Sequence, residues 1–140
     1  MSAANETRFA VRPGLGRVAL TGVVATVAAA AATTAGAALA KAAGVDFEVP
    51  AGGEAIPTAG FATMTSVFSL VGVAIAVALA RWNSRPARRF VRITIPLAAA
   101  SLVPPLAVGA TAATATTLVV LHLVAAAVVI PSLTRALRAE

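Results

Sequence analysis

The only ionisable side chain within a long apolar run of this sequence is His122, in the segment LVVLHLVAAAVVIPSL. An imidazole can act as a general acid or base, relay a proton or bind a metal. A neutral imidazole buried in a membrane also needs hydrogen-bond partners, and a threonine, Ser101 or a carbonyl freed by a proline could supply them. Three interpretations follow: a structural hydrogen bond, a ligand-binding or proton-relay role, and metal ligation.

The residues around His122 favour the structural interpretation. On a helix, His122 shares a face with mostly small residues such as Ala115 and Ala125, so its ring should point into the protein and not at lipid. The apolar runs contain no Asp, Glu, Cys or second His, which leaves any metal site or catalytic group incomplete. We therefore predict no metal, no cofactor and no catalytic residue.

Two prolines, Pro104 and Pro105, lie in the third apolar run close to Ser101. A proline has no backbone N–H, so the helix must kink there, and the carbonyls four residues earlier need other partners. A kink can be a simple bend or a gate. If the protein binds a ligand or relays a proton at membrane depth, the residues we expect to do so are His122, Ser101, Pro104 and Pro105.

Three of the five acidic residues, Asp46, Glu48 and Glu54, lie within residues 41–58. Their spacing matches neither a calcium-binding loop nor a pair of catalytic carboxylates, so we interpret them as a solvated acidic loop. Residues 45–49 alternate apolar and polar side chains and are followed by a proline and two glycines. This pattern predicts a short strand or hairpin that caps the protein.

Five arginines are concentrated in residues 81–92. They are Arg81, Arg85, Arg88, Arg89 and Arg92. Arginine next to a transmembrane helix is retained on the cytoplasmic side during insertion, so this segment fixes the orientation of the helices on both sides of it. The same charges would attract anionic lipid headgroups. They do not indicate a nucleic-acid surface, because they flank apolar runs instead of covering a soluble domain.

Four apolar runs position these residues, at about residues 18–39, 61–80, 93–109 and 117–133. Each has a length in the range of about 17–25 residues that a membrane-spanning helix needs. Hydrophobic residues make up 59% of the chain and charged residues 11%, which excludes a water-soluble domain of this size. The chain has no cysteine, which excludes disulfides and thiolate chemistry.

The first run allows two further inferences. Small residues recur every four positions from Gly22 to Ala38, and this spacing predicts a face that packs against a neighbouring helix. A cleaved signal peptide is the alternative to a transmembrane helix, but the run is longer than the about 7–15 residues of a signal h-region. We therefore predict a transmembrane helix.

The predicted fold is an all-α integral membrane protein whose four transmembrane helices form two hairpins. Residues 1–17 form a basic cytoplasmic tail, residues 18–134 the transmembrane domain and residues 135–140 a second cytoplasmic tail. Ten arginines lie on the predicted inner side, whereas the single lysine, Lys41, lies on the outer side. This distribution predicts that both termini are cytoplasmic and that the strand-like loop of residues 41–58 is exported.

Two short segments resemble a known family: GVDFEVP, after the first run, and LHLVAAAVVIPSL, in the last. With the four-span layout, they resemble small actinobacterial membrane proteins of unknown function. The resemblance covers nearly the whole chain and implies the topology given above, but no activity. An actinobacterial source agrees with the excess of arginine over lysine, which is typical of a GC-rich genome.

The lack of a catalytic group favours a non-catalytic subunit or scaffold of a membrane assembly, in a bacterial cytoplasmic (inner) membrane. The alternative is an oligomeric protein that binds or transports a small molecule or lipid through His122 and the kinked third helix. We expect no enzymatic activity and no nucleic-acid partner. The expected partners are membrane lipids, including anionic ones, and further copies of the chain or a larger membrane complex.

Overall fold

The computed structural model describes residues 12–138, which are mostly helical. The helices are α1 (Leu15–Ala42), α2 (Thr58–Trp82), α3 (Pro86–Ala100), α4 (Val103–Ala107) and α5 (Ala112–Leu137). Four helical segments are long and apolar enough to cross a membrane, with α3 and α4 counted together as one. The prediction of a helical chain with four such segments is confirmed. Most of the predicted N-terminal tail, residues 1–11, lies outside the described residues.

α1, α2 and α5 extend beyond their apolar runs at both ends, whereas the α3–α4 segment extends beyond its run only at the start. The largest extension is in α3, which begins at Pro86, although the third apolar run begins at Ile93. Proline suits the first position of a helix, because its missing N–H would have no helical partner there. Arg88, Arg89 and Arg92 therefore lie on the first two turns of α3, and only residues 83–85 connect α2 to α3.

The third membrane-length segment is interrupted where the prolines predict a kink. α3 closes with a bond from Ser101 N to Leu97 O (2.9 Å), and α4 begins two residues later at Val103. Pro104 and Pro105 occupy the first turn of α4 and have no N–H for carbonyls in the preceding turn. The interruption therefore places Ser101 at a helix end.

The bundle has two chemically different ends. The loop end contains residues 43–57 and the turn of residues 108–111, and it carries the acids of the described chain. The basic end contains residues 83–85 and both ends of the described chain, where Arg12 Nη1 donates to Arg81 O at 3.2 Å. α1, α2, the α3–α4 segment and α5 run between these ends in chain order.

α1 packs along both α2 and α5, whereas α3 packs against α2 and α5 without extensive contact with α1. Two glycines allow the close approach of α1. A Cβ added at Gly22 would lie 2.5 Å from Val73 Cγ2 of α2, and one added at Gly36 would lie 2.7 Å from Leu121 Cδ2 of α5. The predicted packing face of α1 is therefore used within the chain.

The buried face of α1 follows the helical period and not a strict spacing of four. Gly22 is buried, Ala30 is half-buried and Ala38 is exposed, because four residues overshoot a turn of 3.6 residues by about 40°. The buried residues of α1 are Val18, Gly22, Ala25, Thr26, Ala29, Thr33 and Ala37. Among them, Thr33 Oγ1 lies 2.9 Å from Thr65 Oγ1 of α2, a hydrogen bond between the two helices.

Residues 43–57 form a structured cap over the loop end. Phe47 is 1% exposed, and its ring packs edge-on against Phe61 of α2, with 4.9 Å between centroids. Backbone bonds join Ile56 N to Phe47 O (3.0 Å) and Val49 N to Glu54 O (3.2 Å). These contacts close the segment on itself and anchor it to the bundle.

The predicted strand over residues 45–49 does not form. Within residues 12–138 the only β pairing is an isolated antiparallel bridge between Glu48 and Ala55. The reason is Phe47, whose backbone has a φ of 55°, in the left-handed region. That conformation turns the ring into the bundle and interrupts the extended chain, so the alternating pattern marks one buried side chain in a turn.

Candidate functional site

His122 and Ser101 lie together inside the bundle. His122 Nε2 is 2.6 Å from Ser101 Oγ, and the Ser101 hydroxyl also donates to Ala98 O at 2.7 Å. Both residues are half-buried. The pair connects α5 to the end of α3, and Ser101 is one of the three kinds of partner that the sequence indicates for His122.

The hydrogen-bond network favours one tautomer of the imidazole. A backbone carbonyl can only accept, so the bond from Ser101 to Ala98 O uses the serine hydrogen. His122 Nε2 is then the donor to Ser101 Oγ, and the neutral ring carries its hydrogen on Nε2. In this arrangement the imidazole does not activate the serine, because a general base must accept the serine hydrogen.

The other parts of a hydrolytic site are not assembled around this pair. A serine–histidine pair needs an acid that orients the histidine and donors that stabilise an oxyanion. The acids of the described chain, Asp46, Glu48 and Glu54, all lie in the cap, and residues 12–138 contain no group of three potential metal ligands. The arrangement is that of a structural hydrogen bond between α5 and the end of α3, the His122–Ser101 tie.

Pro104 and Pro105 act on this site through the backbone. Pro104 is exposed and Pro105 is half-buried in the first turn of α4. They end the helical hydrogen bonding that would otherwise continue past Ser101, and so leave Ser101 in the short connection between α3 and α4. Their structural part is to position Ser101.

The carboxylates of the cap bind the cap's own backbone and α5. Asp46 Oδ1 accepts from Glu48 N at 3.0 Å and from Thr114 Oγ1 at 2.8 Å, and Glu48 Oε2 accepts from Gly52 N at 2.8 Å. The pKa of Asp46 is lowered, first by the Glu48 N–H and then by the Thr114 hydroxyl, since both stabilise the carboxylate. Glu54 is exposed. The three acids thus do not converge on a common point.

A backbone bond also joins the cap to the turn of residues 108–111, because Ala51 N donates to Gly109 O at 3.0 Å. Gly109 has a φ of 71°, which glycine adopts without steric cost, and Pro50 lies against it. With the bond from Thr114 to Asp46, this contact means that the loop between α1 and α2 holds the start of α5. The sequence alone did not indicate this role for Asp46.

The five arginines predicted from residues 81–92 separate into two groups. Arg85, Arg88 and Arg92 line one wall of an open groove of about 580 Å³ at the basic end, and Arg138, the C-cap residue of α5, lines the other. Arg81 lies beside the Trp82 ring, 5.6 Å from its centroid, and Arg89 is on another side of α3. Arg138 was missed as a partner of this cluster because it is distant in sequence.

A family model described as a family of unknown function, DUF6069, matches residues 13–139. The chain belongs to this family. The match spans all five helices and includes the His122–Ser101 pair, the cap and the groove. Neither the curated proteins nor the solved structures contain a match to the chain.

Membership of DUF6069 confirms the sequence-based expectation of a family without an assigned activity. The actinobacterial source and the four-span layout as a property of the whole family stay predictions.

Proposed function

We propose that this member of DUF6069 is a non-catalytic integral protein of a bacterial cytoplasmic membrane that serves as a subunit or scaffold of a membrane assembly. The observation that carries this proposal is the engagement of His122. His122, the one ionisable side chain in the four apolar runs, is hydrogen-bonded to Ser101, whose own hydrogen is bound to Ala98 O. Chemistry at membrane depth would have to break this tie.

The other interior polar contacts support the same function. Thr33 of α1 and Thr65 of α2 bind each other, and Asp46 of the cap binds Thr114 of α5, so these groups join separate elements of the structure. In a membrane, such hydrogen bonds and close contacts between small residues hold helices together. The described architecture is one built for a fixed arrangement of helices.

The test of this function is a double-mutant cycle on the tie, with Ser101→Ala, His122→Leu and the double variant. A structural tie predicts that each single variant loses about 0.6 kcal/mol and at most about 1.7 kcal/mol of unfolding free energy, and that the double variant loses little more than either. Unfolding of the purified protein in mixed micelles measures these values. Fully additive losses would contradict the tie.

A conservative variant tests the function itself. His122→Gln keeps a donor and an acceptor, so a scaffold should retain its stability and the protein partners that copurify from native membranes. If the Gln variant had wild-type stability but failed to restore normal growth to a strain that lacks the gene, the scaffold role would be refuted. His122 would then have a chemical role that an amide cannot replace.

The second candidate function is binding or transport of a small molecule or lipid by an oligomer. The observation in its favour is the interruption between α3 and α4 beside His122, since movement of α4 could expose Ser101. This function predicts that a small molecule copurifies with the wild-type protein and is lost from a stable His122→Gln variant. Mass spectrometry of the extracted ligand distinguishes it from the scaffold.

We also propose that both termini and the basic end are cytoplasmic and that the cap is exported. The arginines of the basic end support this orientation, because positive charge is retained on the cytoplasmic side. The chain has no cysteine, so Ser84→Cys and Ala51→Cys, both at exposed positions, each introduce one reactive site.

An impermeant thiol reagent applied to spheroplasts should label Ala51→Cys directly and Ser84→Cys only after permeabilisation. The reverse pattern would refute the orientation. Labelling of both from outside would refute the proposal that the chain crosses the membrane between them.

A further inference from the structure

The groove at the basic end is formed by two elements that are distant in sequence. Arg88 and Arg92 lie on α3 and Arg85 is its N-cap residue, whereas Arg138 is the C-cap residue of α5. The volume of about 580 Å³ is open on one side, and all four arginines are exposed. Four cations therefore border one concave surface.

The positions of three arginines at the start of α3 explain why they share this groove. Residues four apart lie on the same face of a helix, so Arg88 and Arg92 form one row, and Arg85 joins them from the N-cap position just before α3. Arg89 is rotated by about 100° from Arg88 and does not line the groove. Like charges four residues apart repel each other, so a row of this kind is stabilised when an anion is bound to it.

The surroundings of the groove add to its preference for an anion. The N-terminus of α3 lies at the groove, and the positive end of its dipole favours negative charge. Arg85 occupies the N-cap position without a side-chain cap bond. The acids of the described chain lie at the loop end, across the bundle. A planar guanidinium donates two parallel hydrogen bonds to a phosphate, which makes arginine suited to this ligand.

The floor of the groove indicates a lipid. Val91 and Leu137 line it together with the arginines, so part of the surface below the charges is apolar. Trp82, which is 76% exposed, lies at the same end, and tryptophan is enriched at the level of the headgroups. Basic pockets between transmembrane helices at this level bind anionic headgroups.

We infer that the groove lined by Arg85, Arg88, Arg92 and Arg138 is a specific binding site for a phospholipid whose headgroup carries net negative charge. The guanidinium groups of both walls bind the phosphate, and the acyl chains follow the apolar surface toward the membrane interior. This site rests on the insertion of the helices in a bilayer and does not depend on the scaffold role or on His122.

The chain offers a matched pair of variants for the test. Arg88→Gln with Arg138→Gln removes one arginine from each wall of the groove. Arg89→Gln with Arg135→Gln removes the same charge from the same two helices, at positions that do not line it. Both double variants therefore alter the general surface potential equally, and only the first alters the site.

The measurement is native mass spectrometry of the protein released from nanodiscs with equal amounts of phosphatidylglycerol and phosphatidylcholine. We expect the groove variant to lower the retained ratio of the two lipids about 25-fold, or about fivefold per arginine, which corresponds to about 1 kcal/mol per charge. The control variant should lower it less than about fivefold, because its charges act only through a screened surface potential.

Equal losses in both variants, or no loss in either, would overturn the specific site. Millimolar inorganic phosphate should not displace the lipid; displacement would assign the groove to a free anion instead. Failure of the wild-type protein to enter nanodiscs would refute membrane insertion, which is a different outcome. Thermal stability in phosphatidylcholine alone should be unchanged or higher for the groove variant, since Arg88 and Arg92 no longer repel each other.

Arg88→Lys provides a second variant that keeps the charge and removes the planar pair of donors. It should lower the lipid ratio less than Arg88→Gln but more than Arg89→Lys. Equality of Arg88→Lys and Arg89→Lys would show that charge alone attracts the lipid and would overturn the proposed phosphate geometry.

Discussion

The packing of α1 against α2 can be tested most directly at Gly22. An added Cβ would lie 2.5 Å from Val73 Cγ2, 2.7 Å from Val73 Cγ1 and 3.1 Å from Val73 Cβ. Carbon atoms in contact normally lie about 3.5–4.0 Å apart. Rotation of Val73 cannot remove the clash, because its Cβ and both of its methyl groups are close. In Gly22→Ala, α1 and α2 must therefore move apart.

The expected size of the effect follows from two opposing contributions. Overpacking of this kind costs about 1–3 kcal/mol, while alanine within a helix is more favourable than glycine by about 0.5–1 kcal/mol. Gly22→Ala should then lower the unfolding free energy by about 0.5–2 kcal/mol. Gly16→Ala is the control on the same helix, since no atom lies within 4 Å of its added Cβ, and it should be neutral or stabilising.

Equilibrium unfolding in mixed micelles measures both variants, and Val73→Ala completes a double-mutant cycle with Gly22→Ala. Because Val73→Ala removes the two methyl groups that meet the new Cβ, the double variant should be more stable than the sum of the single losses implies. If the losses simply added, or if Gly22→Ala behaved as Gly16→Ala does, the close approach of α1 and α2 at this position would be refuted.

Three further predictions concern contacts between elements. Phe47→Ala should cost about 3–5 kcal/mol locally and speed amide hydrogen exchange in residues 45–56 while that of the helices stays slow; equal acceleration throughout would contradict it. Because the pKa of Asp46 is lowered in the folded protein, its stabilisation of the cap should be complete above the ordinary carboxyl pKa of about 3.9 and disappear as pH falls through the lower folded value. Limited proteolysis of the cap from pH 6 down to pH 3 would reveal this, and Asp46→Asn should abolish the pH dependence. Thr33→Val and Thr65→Val should show a coupling of about 0.6 kcal/mol in unfolding, and a coupling of zero would mean that their hydrogen bond contributes nothing.

The sequence predicted the helices because the hydrocarbon core imposes one strong requirement, a long uncharged run. It could not predict the rotation of each helix, which decides that His122 meets Ser101 and not a threonine. The prediction of a strand over residues 45–49 was wrong for a related reason. The alternating pattern reports that Phe47 is buried, but a left-handed residue in a turn buries one side chain as well as a strand does.

The groove was within partial reach of the sequence. Pro86 signals a helix start, and Arg88 and Arg92 follow it at helical spacing, so their common face could have been found. The number of arginines on each side of the membrane indicates topology only and does not reveal which arginines share a face of α3. Arg138 could not have been assigned to the groove, because its place there depends on how α5 packs beside α3.

The bonds that join the cap to Gly109 and Thr114 have a consequence for biogenesis. α1 and α2 leave the ribosome first, but Gly109 and Thr114, which Ala51 and Asp46 bind, are synthesised more than fifty residues later than the cap. The face of α1 that meets α5 is without this neighbour for longer still, because α5 begins only at Ala112. Closure of the cap is therefore among the last events of synthesis, and a closed cap marks chains whose final helix has been made.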